Sequence, residues 1–420
     1  MTDQLSQSSP RSMWRRWLPL LAVLGPGIIA ASAGNDAGGI ATYSQDGAIY
    51  GYATLWMIFV MTFSLVIVQE MAARMGMVSG KGFAALIRER FGVRPTLFAM
   101  FCLLASNAAT SVAEFAGIAA SLELFGVSKY VSVPIAAVVV WLLVVRGSYQ
   151  RVEKVGLALS AVFLSYVVAA FLAKPDWGEV LKATVVPTFI PTPAFTLIVI
   201  ATIGTTIAPW MQFFVQSNIV DKGVTVKDML FQRIDVISGA VSANIVAWFI
   251  IVTTGTVLYP RGIHITGAEQ AAAALAPVAG KYASSLFAIG LFGASLLAAC
   301  VLPLTASYAI CEAFGFERGI DRSWSEAPIF NSVYTFVIAF GAVFVLIPNA
   351  PLISIMVLSQ AVNGVLLPFL LIFMMIIVND RRIMGRWVNG RVYNVLGWAT
   401  VIVVIGLTVV LLGMQLFGIG

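Results

Sequence analysis

An aspartate among glycines is the residue of this chain whose type and setting point most directly to chemistry. Asp36 lies in the segment Gly34-Asn35-Asp36-Ala37-Gly38-Gly39, inside a long apolar stretch. Glycine-rich segments form helix poorly, so a helix through this stretch is expected to unwind here. A carboxylate in such a setting is costly to bury and is usually functional. The Asp36 carboxylate and the Gly39 carbonyl are therefore expected to bind a cation, with Asn35 beside them.

A second break is predicted in the segment Gly204-Thr205-Thr206-Ile207-Ala208-Pro209-Trp210. Pro209 removes a backbone donor and clashes with the preceding helical turn. The freed carbonyl of Ala208 is expected to be another ligand, because unpaired carbonyls at membrane depth are tolerated where they line a cavity. Met211 could also point into this pocket, although a packing role is the more ordinary one. Either segment alone could be a mere kink.

Three further polar residues lie in apolar segments. Gln360 and Asn363 are three residues apart and share a helix face, where they could add amide oxygens or join two helices by hydrogen bonds. Glu114 could support the site, carry a proton or hold a structural partner. A ligand set of oxygens alone favours Mg²⁺ and Mn²⁺ over softer ions.

The composition is that of a membrane protein. Of the 420 residues, 60% are apolar and 10% are charged, whereas soluble domains carry about 25% charged residues. This excludes a soluble enzyme and the usual basic nucleic-acid binder. No P-loop, HExxH, nucleophile elbow or CxxC occurs, so we expect neither an enzyme nor a cofactor. The three cysteines lie in apolar runs and predict no disulfide framework.

Hydropathy predicts an all-α membrane protein with eleven spans, each about 20 residues long. They cover about 18–47, 51–73, 97–126, 130–146, 155–173, 193–220, 235–259, 283–310, 328–348, 352–378 and 394–417. With residues 1–17 in the cytoplasm, alternating spans place 20 of the 25 Lys and Arg residues on the cytoplasmic side. That bias predicts a cytoplasmic N-terminus and an outer C-terminus.

The two breaks fall in spans one and six. That spacing predicts two inverted repeats of five spans, 18–173 and 193–378, each beginning with a broken helix. An odd repeat length makes the second half insert upside down relative to the first. The last span, 394–417, is additional, and the whole chain is expected to be one transporter domain.

Several motifs resemble those of the Nramp divalent-metal transporters. The family pattern has GPG, then DPGN, ATD and a YGYxLLW run; this chain has GPG, Asp36-Ala37-Gly38-Gly39, Ala41-Thr42 and Tyr50-Gly51-Tyr52-Ala53-Thr54-Leu55-Trp56. The resemblance continues at Gln69, Ala72 to Gly76, Ala113-Glu114, Gly204 to Trp210, Leu358-Ser359-Gln360 and Pro368-Phe369. It implies a LeuT-like fold, with metal bound between the unwound parts of helices 1 and 6.

The departures from the family pattern are informative. Gly39 replaces the family's asparagine ligand, and Ala208-Pro209-Trp210 replaces Met-Pro-His. A second family histidine falls on Val215, and an acid falls on Ser111. These changes resemble the Nramp-related magnesium transporters, a branch implied to carry Mg²⁺ and Mn²⁺ without proton coupling.

These observations predict an alternating-access importer of Mg²⁺ and Mn²⁺ in a bacterial plasma membrane, without proton coupling. The metal is substrate, and no obligate protein partner or nucleic acid is expected. The single histidine, His264, is assigned to an outer loop and so leaves the spans without an imidazole. One alternative is a proton-coupled Mn²⁺/Fe²⁺ importer. Another is an organic-solute transporter in which Trp210 stacks on the substrate.

Four other acids receive simpler predictions. Asp46 and Glu123 lie near the outer ends of their spans and are expected to be solvated, although they could form an acidic vestibule. Glu70 and Asp235 lie near cytoplasmic ends, where pairing with Arg74 or Arg233 is expected.

Overall fold

The computed structural model describes residues 34–145, 159, 161–319 and 322–417, which are α-helical apart from turns, loops and short 3-10 helices. The α-helices are α1 (Ala37–Tyr50), α2 (Leu55–Ser79), α3 (Phe83–Phe91), α4 (Val93–Glu123), α5 (Lys129–Val145), α6 (Ser165–Ala173), α7 (Trp177–Val185), α8 (Pro193–Thr206), α9 (Pro209–Asp221), α10 (Met229–Val257), α11 (Ala268–Ala273), α12 (Ala276–Ala279), α13 (Ala283–Phe314), α14 (Pro328–Val345), α15 (Leu352–Val378), α16 (Arg381–Met384) and α17 (Arg391–Phe417). The predicted cytoplasmic segment 1–17 and the first part of the first predicted span lie outside the described residues.

The predicted all-α membrane architecture is confirmed. Eight helical segments of the described residues are long and apolar enough to cross a membrane, and two shorter apolar helices cover 129–143 and 161–173. Each predicted span from the second onward contains one of these segments. The sixth span consists of two helices, α8 and α9, as the Pro209 signal predicts. The total of eleven spans stays a prediction.

The helix pairings follow the symmetry of an inverted repeat. Helix α1 is the part of the first span after its break, and it packs on α10. Helix α9 is the matching part of the sixth span, and it packs on α2. The tenth span, α15, packs on α4, while the eighth, α13, packs on the 3-10 helix Ala161–Leu164 that leads into α6. Exchanging the two halves converts each pair into the other, as two structurally equivalent repeats require.

One end of the bundle, called the basic end below, gathers loops that are rich in Lys and Arg. Glu70 binds both Arg74 (3.1 Å) and Arg233 (2.8 Å), which confirms its predicted pairing. Asp235 accepts a hydrogen bond from the Gln232 amide at 3.0 Å. These contacts fasten α2, α10 and the segment before α17 together, because Arg74 also donates to the Asn389 side chain at 2.6 Å.

The two longest predicted outer loops contain short helices. Segment 174–192 includes α7, whose first turn is capped by the Asp176 carboxylate. Segment 260–282 includes α11 and α12. His264 is exposed in this second segment, as predicted.

Candidate metal site

Asp36 ends the first break and caps the helix that follows it. Its backbone is extended (φ −76°, ψ 179°), and its Oδ1 accepts a hydrogen bond from the Gly39 amide at 2.7 Å. This is the usual geometry of an aspartate N-cap. The side chain is 2% exposed, so the carboxylate is held at the N-terminus of α1 inside the bundle. The start of the helix favours negative charge there.

Glycine at positions 38 and 39 lets other elements approach the carboxylate. A Cβ atom on Gly39 would lie 2.8 Å from Thr205 Oγ1, 3.2 Å from the Gly34 carbonyl oxygen and 3.3 Å from Asp36 Oδ1. A carboxylate, a hydroxyl and a carbonyl oxygen thus surround one small space beside Gly39. Such oxygens are the ligands that Mg²⁺ and Mn²⁺ prefer.

Helix α15 reaches this carboxylate through Gln360. The Gln360 amide nitrogen donates to Asp36 Oδ1 at 3.3 Å, and its oxygen accepts from the Asn363 amide at 2.8 Å. Asn363 in turn accepts from Ser106 Oγ (2.6 Å) and donates to Thr110 Oγ1 (2.8 Å) on α4. In this structure Gln360 orients Asp36 and Asn363 holds Gln360. Ligation of metal by either amide oxygen stays a prediction.

Glu114 supports the first break from α4. Its Oε2 accepts a hydrogen bond from the Ala37 amide at 3.3 Å, so it binds the same helix start that Asp36 caps. Its Oε1 has no hydrogen-bond partner among the described residues, and the side chain is fully buried. Glu114 is thus one short peptide segment away from Asp36, in a position to stabilise the break or to exchange a proton.

The second break follows from the proline. Ile207 ends α8 with φ −120° and ψ 62°, Ala208 is extended, and Pro209 occupies the first position of α9. A residue before proline is driven out of the helical region, and proline suits a first helical turn. The Ala208 carbonyl accepts from the Met211 amide at 3.1 Å. With its amide nitrogen facing the break, Gln212 also donates to that carbonyl at 3.0 Å. Ligation of metal by Ala208 stays a prediction.

A small cavity of about 10 Å³, which is room for about one water molecule, lies beside the two breaks on the side of the basic end. Its lining residues come from the two breaks and from α1, α2, α9 and α10: Gly34, Asn35, Tyr43, Leu65, Gln69, Thr205, Thr206, Met211, Val236, Ala240, Ala243 and Asn244. Asn35 and Met211 are among these lining residues, and their part in binding or gating stays a prediction. Met211 faces the first break so closely that a Cβ on Gly34 would meet its Cε.

Trp210 does not line this cavity between the breaks and the basic end. Its side chain is fully buried, its ring lies 6.0 Å from that of Phe214, and its Nε1 has no partner among the described residues.

Sequence reasoning missed Gln69 and Thr205 as cavity residues. The Gln69 Oε1 and Thr205 Oγ1 atoms are buried and have no partner among the described residues. A polar residue in the middle of an apolar span was the available signal for Gln69. Threonine gives a weaker signal, because its hydroxyl often binds a carbonyl of its own helix.

The expectation that Asp46 is solvated is wrong. Asp46 is 0% exposed, and its Oδ2 accepts from Thr202 Oγ1 on α8 at 2.7 Å. One turn earlier, the Tyr43 hydroxyl and Thr206 Oγ1 lie 3.0 Å apart, so a polar seam joins α1 and α8. The end of α1 is covered because the Gln45 amide binds the Ile265 carbonyl at 3.2 Å, which closes the 260–282 segment over it. Glu123 is exposed, as expected.

The two buried carboxyl groups of the site have no basic partner among the described residues. Asp36 and Glu114 are buried, and no salt bridge of the described residues involves either of them. The described residues contain no cluster of three or more His, Cys, Asp or Glu side chains. The chemistry available is therefore one capping carboxylate, a neighbouring buried carboxyl group, carbonyl and hydroxyl oxygens, and the Met211 thioether. A buried carboxylate of this kind is stabilised by a bound cation.

The fold defines an all-α membrane protein of the LeuT-like type, with buried oxygen atoms gathered between two broken helices. Among solved structures, a manganese transporter of Eremococcus coleocola superposes with a TM-score of 0.74 at 21% identity, over 98% of this chain and 89% of that one. The structure of MhsT in complex with L-phenylalanine superposes with a TM-score of 0.59 at 14% identity, over 92% and 97% of the two chains.

The sequence places the chain within a family. The model of the natural resistance-associated macrophage protein-like (Nramp) family matches residues 27–413. Relatives named divalent metal cation transporter MntH include that of Deinococcus radiodurans, 29% identical over 95% of this chain and 90% of the relative. That of Bacillus subtilis is 26% identical over 98% and 99%. The protein belongs to the Nramp family of divalent-metal transporters, for which the metal ion is a substrate.

Proposed function

We propose that this protein imports Mg²⁺ and Mn²⁺ across the bacterial plasma membrane by alternating access. The N-terminus is cytoplasmic and the C-terminus lies outside in this proposal, because the 20 Lys and Arg residues of the predicted cytoplasmic segments include those of the basic end. The cavity lined by Asn35 and Met211 then lies on the cytoplasmic side of Asp36.

One observation carries the proposal. The Asp36 carboxylate, the Gly34 carbonyl and the Thr205 hydroxyl surround the space beside Gly39, where two helices are interrupted. Residue 39 has no side chain and residue 208 has only a methyl group, so neither adds a soft ligand. The oxygen atoms beside Gly39 are of the kind that Mg²⁺ and Mn²⁺ prefer.

The choice between hard and soft ions depends on Met211. A thioether ligand favours soft ions such as Cd²⁺ over Mg²⁺. Ala208 removes the sulfur that the family carries at this position, but Met211 lines the same cavity one turn later. We propose that Met211 packs against Gly34 and leaves coordination to the oxygens.

Flux into proteoliposomes tests the proposal. Mn²⁺ and Mg²⁺ should enter under a negative-inside potential, and leucine should not. Uptake should be lost in Asp36→Ala and kept in Glu123→Ala, which removes an exposed acid. Transport of Mn²⁺ without Mg²⁺ would contradict the ion assignment while leaving the family function intact.

A second candidate is a proton-coupled Mn²⁺ importer. The observation in its favour is Glu114, a buried carboxyl group with one unpartnered oxygen beside the first break. The relatives' names also fit this candidate, since they specify divalent metal cations and manganese. Proton movement measured with metal uptake separates the two candidates.

The organic-solute alternative has weaker support. It requires Trp210 to stack on a substrate, whereas its ring is fully buried near Phe214. The likeness to MhsT concerns the fold alone.

A further inference from the structure

An open depression of about 670 Å³ lies at the basic end, beyond the end of the helix that carries Gln360. It is bounded by the end of α15, by α16 and by the start of α17, with one arginine contributed by α3. We call it the arginine groove. Its polar lining residues are Arg90, Asn379, Asp380, Arg381, Arg382 and Asn394.

The arginine groove has an excess of positive charge. Arg90 binds the Asp380 carboxylate at 2.6 Å. The pKa of Asp380 is lowered from its ordinary value, chiefly because the Arg382 backbone amide donates to it and also because Arg90 is close. Asp380 is therefore ionised at neutral pH and neutralises one guanidinium. Arg381 and Arg382 are exposed and form no salt bridge among the described residues.

The polar floor of the arginine groove is already satisfied. Asn379 and Asn394 exchange side-chain hydrogen bonds of 2.8 Å and 3.0 Å, which fixes the start of α17 against the end of α15. The floor therefore has a set shape, and the exposed guanidinium groups of Arg381 and Arg382 are the part of the groove still open to a ligand.

An apolar surface continues from the arginine groove along α17. Trp398 lies at its edge and is 37% exposed, and Val395 and Ile402 are exposed by 67% and 65%. Only 22% of the most apolar part of α17 is buried in the bundle, so most of this helix faces hydrocarbon in a membrane. A ligand of the arginine groove can thus place an anionic group on the arginines and apolar chains on α17.

We propose that the arginine groove binds an anionic phospholipid, with its phosphate on Arg381 and Arg382 and an acyl chain along Val395 and Trp398. Basic pockets between membrane helices suit such headgroups, and tryptophan suits the level of the headgroups. This inference does not depend on which ion the protein carries.

Quenching of Trp398 by brominated lipid tests the proposal. The chain has 10 tryptophans, so the Trp398 signal is the difference between the wild type and Trp398→Phe in the same vesicles. Phosphatidylglycerol with brominated acyl chains should quench this signal at a lower mole fraction than phosphatidylcholine with the same chains. Equal quenching by the two lipids would overturn the proposal.

A double variant tests the arginines directly. Arg381→Gln with Arg382→Gln should shift half-quenching by phosphatidylglycerol about thirtyfold, because each basic residue near the surface contributes about 1 kcal/mol. The matched control, Lys222→Gln with Lys227→Gln, removes two exposed charges from another loop of the basic end and should leave quenching unchanged. An equal shift in both double variants would show a general surface charge effect and overturn the site.

Two further measurements keep the test decisive. Mass spectrometry of the intact wild-type protein should retain phosphatidylglycerol in preference to phosphatidylcholine, whether or not the double variant folds. Millimolar inorganic phosphate should not displace the brominated lipid. If phosphate does displace it and no lipid is retained, the groove binds a free anion and the proposal fails.

Discussion

Asp36 is the residue on which the proposed site depends, and its role can be separated from its role as a helix cap. Asp36→Asn keeps a capping oxygen for the Gly39 amide but removes the charge, whereas Asp36→Ala removes both. We expect metal flux to fall more than tenfold in both variants, because a loss of about 1.4 kcal/mol in ion binding already corresponds to tenfold.

The thermal stability of the two variants distinguishes cap from ligand. Asp36→Ala should lower the Tm more than Asp36→Asn, since only the alanine leaves the Gly39 amide unpaired. Mn²⁺ flux and Tm are measured on the same preparations. Near-normal flux in a folded Asp36→Asn protein would show that the charge is not needed for transport.

The Thr202 hydroxyl should contribute to stability, because it donates a hydrogen bond to Asp46 Oδ2 and both residues are fully buried. Thr202→Val is expected to lower the free energy of unfolding by about 1–3 kcal/mol, the usual penalty for a buried polar group left without its partner. The control is Thr408→Val on α17, whose hydroxyl binds a carbonyl of its own helix. Chemical unfolding in detergent measures both, and equal losses would remove any special role for the Asp46 contact.

At the scale of helices, the proposed ion preference is tested at the start of α9. Ala208→Met should place a thioether at the second break and shift binding toward Cd²⁺ at the expense of Mg²⁺. Calorimetry on the wild type and the variant gives the two affinities. An unchanged Cd²⁺/Mg²⁺ ratio would mean that the side chain of residue 208 points away from the ion.

Met211→Leu is the companion measurement. If Met211 only packs against Gly34, this near-isosteric change leaves the Cd²⁺ affinity as it was. A clear fall in Cd²⁺ affinity would show that the Met211 thioether already coordinates soft ions, and the oxygen-only assignment would then be wrong.

The close approach of α8 and α15 is a second property at this scale. A Cβ on Gly204 would lie 2.0 Å from the Gln360 carbonyl oxygen and 2.3 Å from the Gly364 nitrogen. Gly204→Ala should therefore separate the helices, move Gln360 away from Asp36 and destabilise the fold by about 1–3 kcal/mol. Gly406→Ala on α17 meets nothing within 4 Å and should be neutral or slightly stabilising. Similar Tm values for the two variants would argue against this tight contact.

Local signals explain how much of these elements could be predicted from the sequence. The breaks at Asp36 and Pro209 were predictable because glycine and proline act on the backbone where they stand. The contact of Gln360 with Asp36 spans 324 residues, and its direction, nitrogen to carboxylate, depends on Asn363 occupying the oxygen. The direction of the Met211 side chain was harder to predict, because it depends on the residue at which α9 begins.

At the scale of the whole molecule, hydropathy and charge predicted the bundle and its repeats. Asp46 shows the limit of that reasoning. Its position near the end of a span suggested solvent, but its carboxyl group is buried against Thr202 of α8. A contact between residues 156 positions apart has no local pattern, so it appeared only in the three-dimensional structure.

Coupling to protons is a property of the whole transport cycle. We expect Mn²⁺ uptake into proteoliposomes to follow a negative-inside potential without inward proton movement. The single histidine is an exposed loop residue, so no imidazole lies in the spans. A potential of 100 mV favours entry of a divalent ion by about 4.6 kcal/mol, twice the value of about 2.3 for a single charge, which is enough to drive uptake.

A pH-sensitive dye trapped inside the vesicles decides between uncoupled and coupled transport. The carboxyl groups of Glu114 and Asp46 are buried and form no salt bridge among the described residues, so Glu114→Gln and Asp46→Asn accompany the wild type as tests of a proton carrier. If transport is uncoupled, the dye signal during metal uptake should equal that of protein-free vesicles for the wild type and for both variants. Internal acidification that grows with Mn²⁺ concentration and disappears in Glu114→Gln would assign the proton to that carboxyl group and establish the coupled importer. Acidification that disappears only in Asp46→Asn would place the proton on the polar seam between α1 and α8 instead.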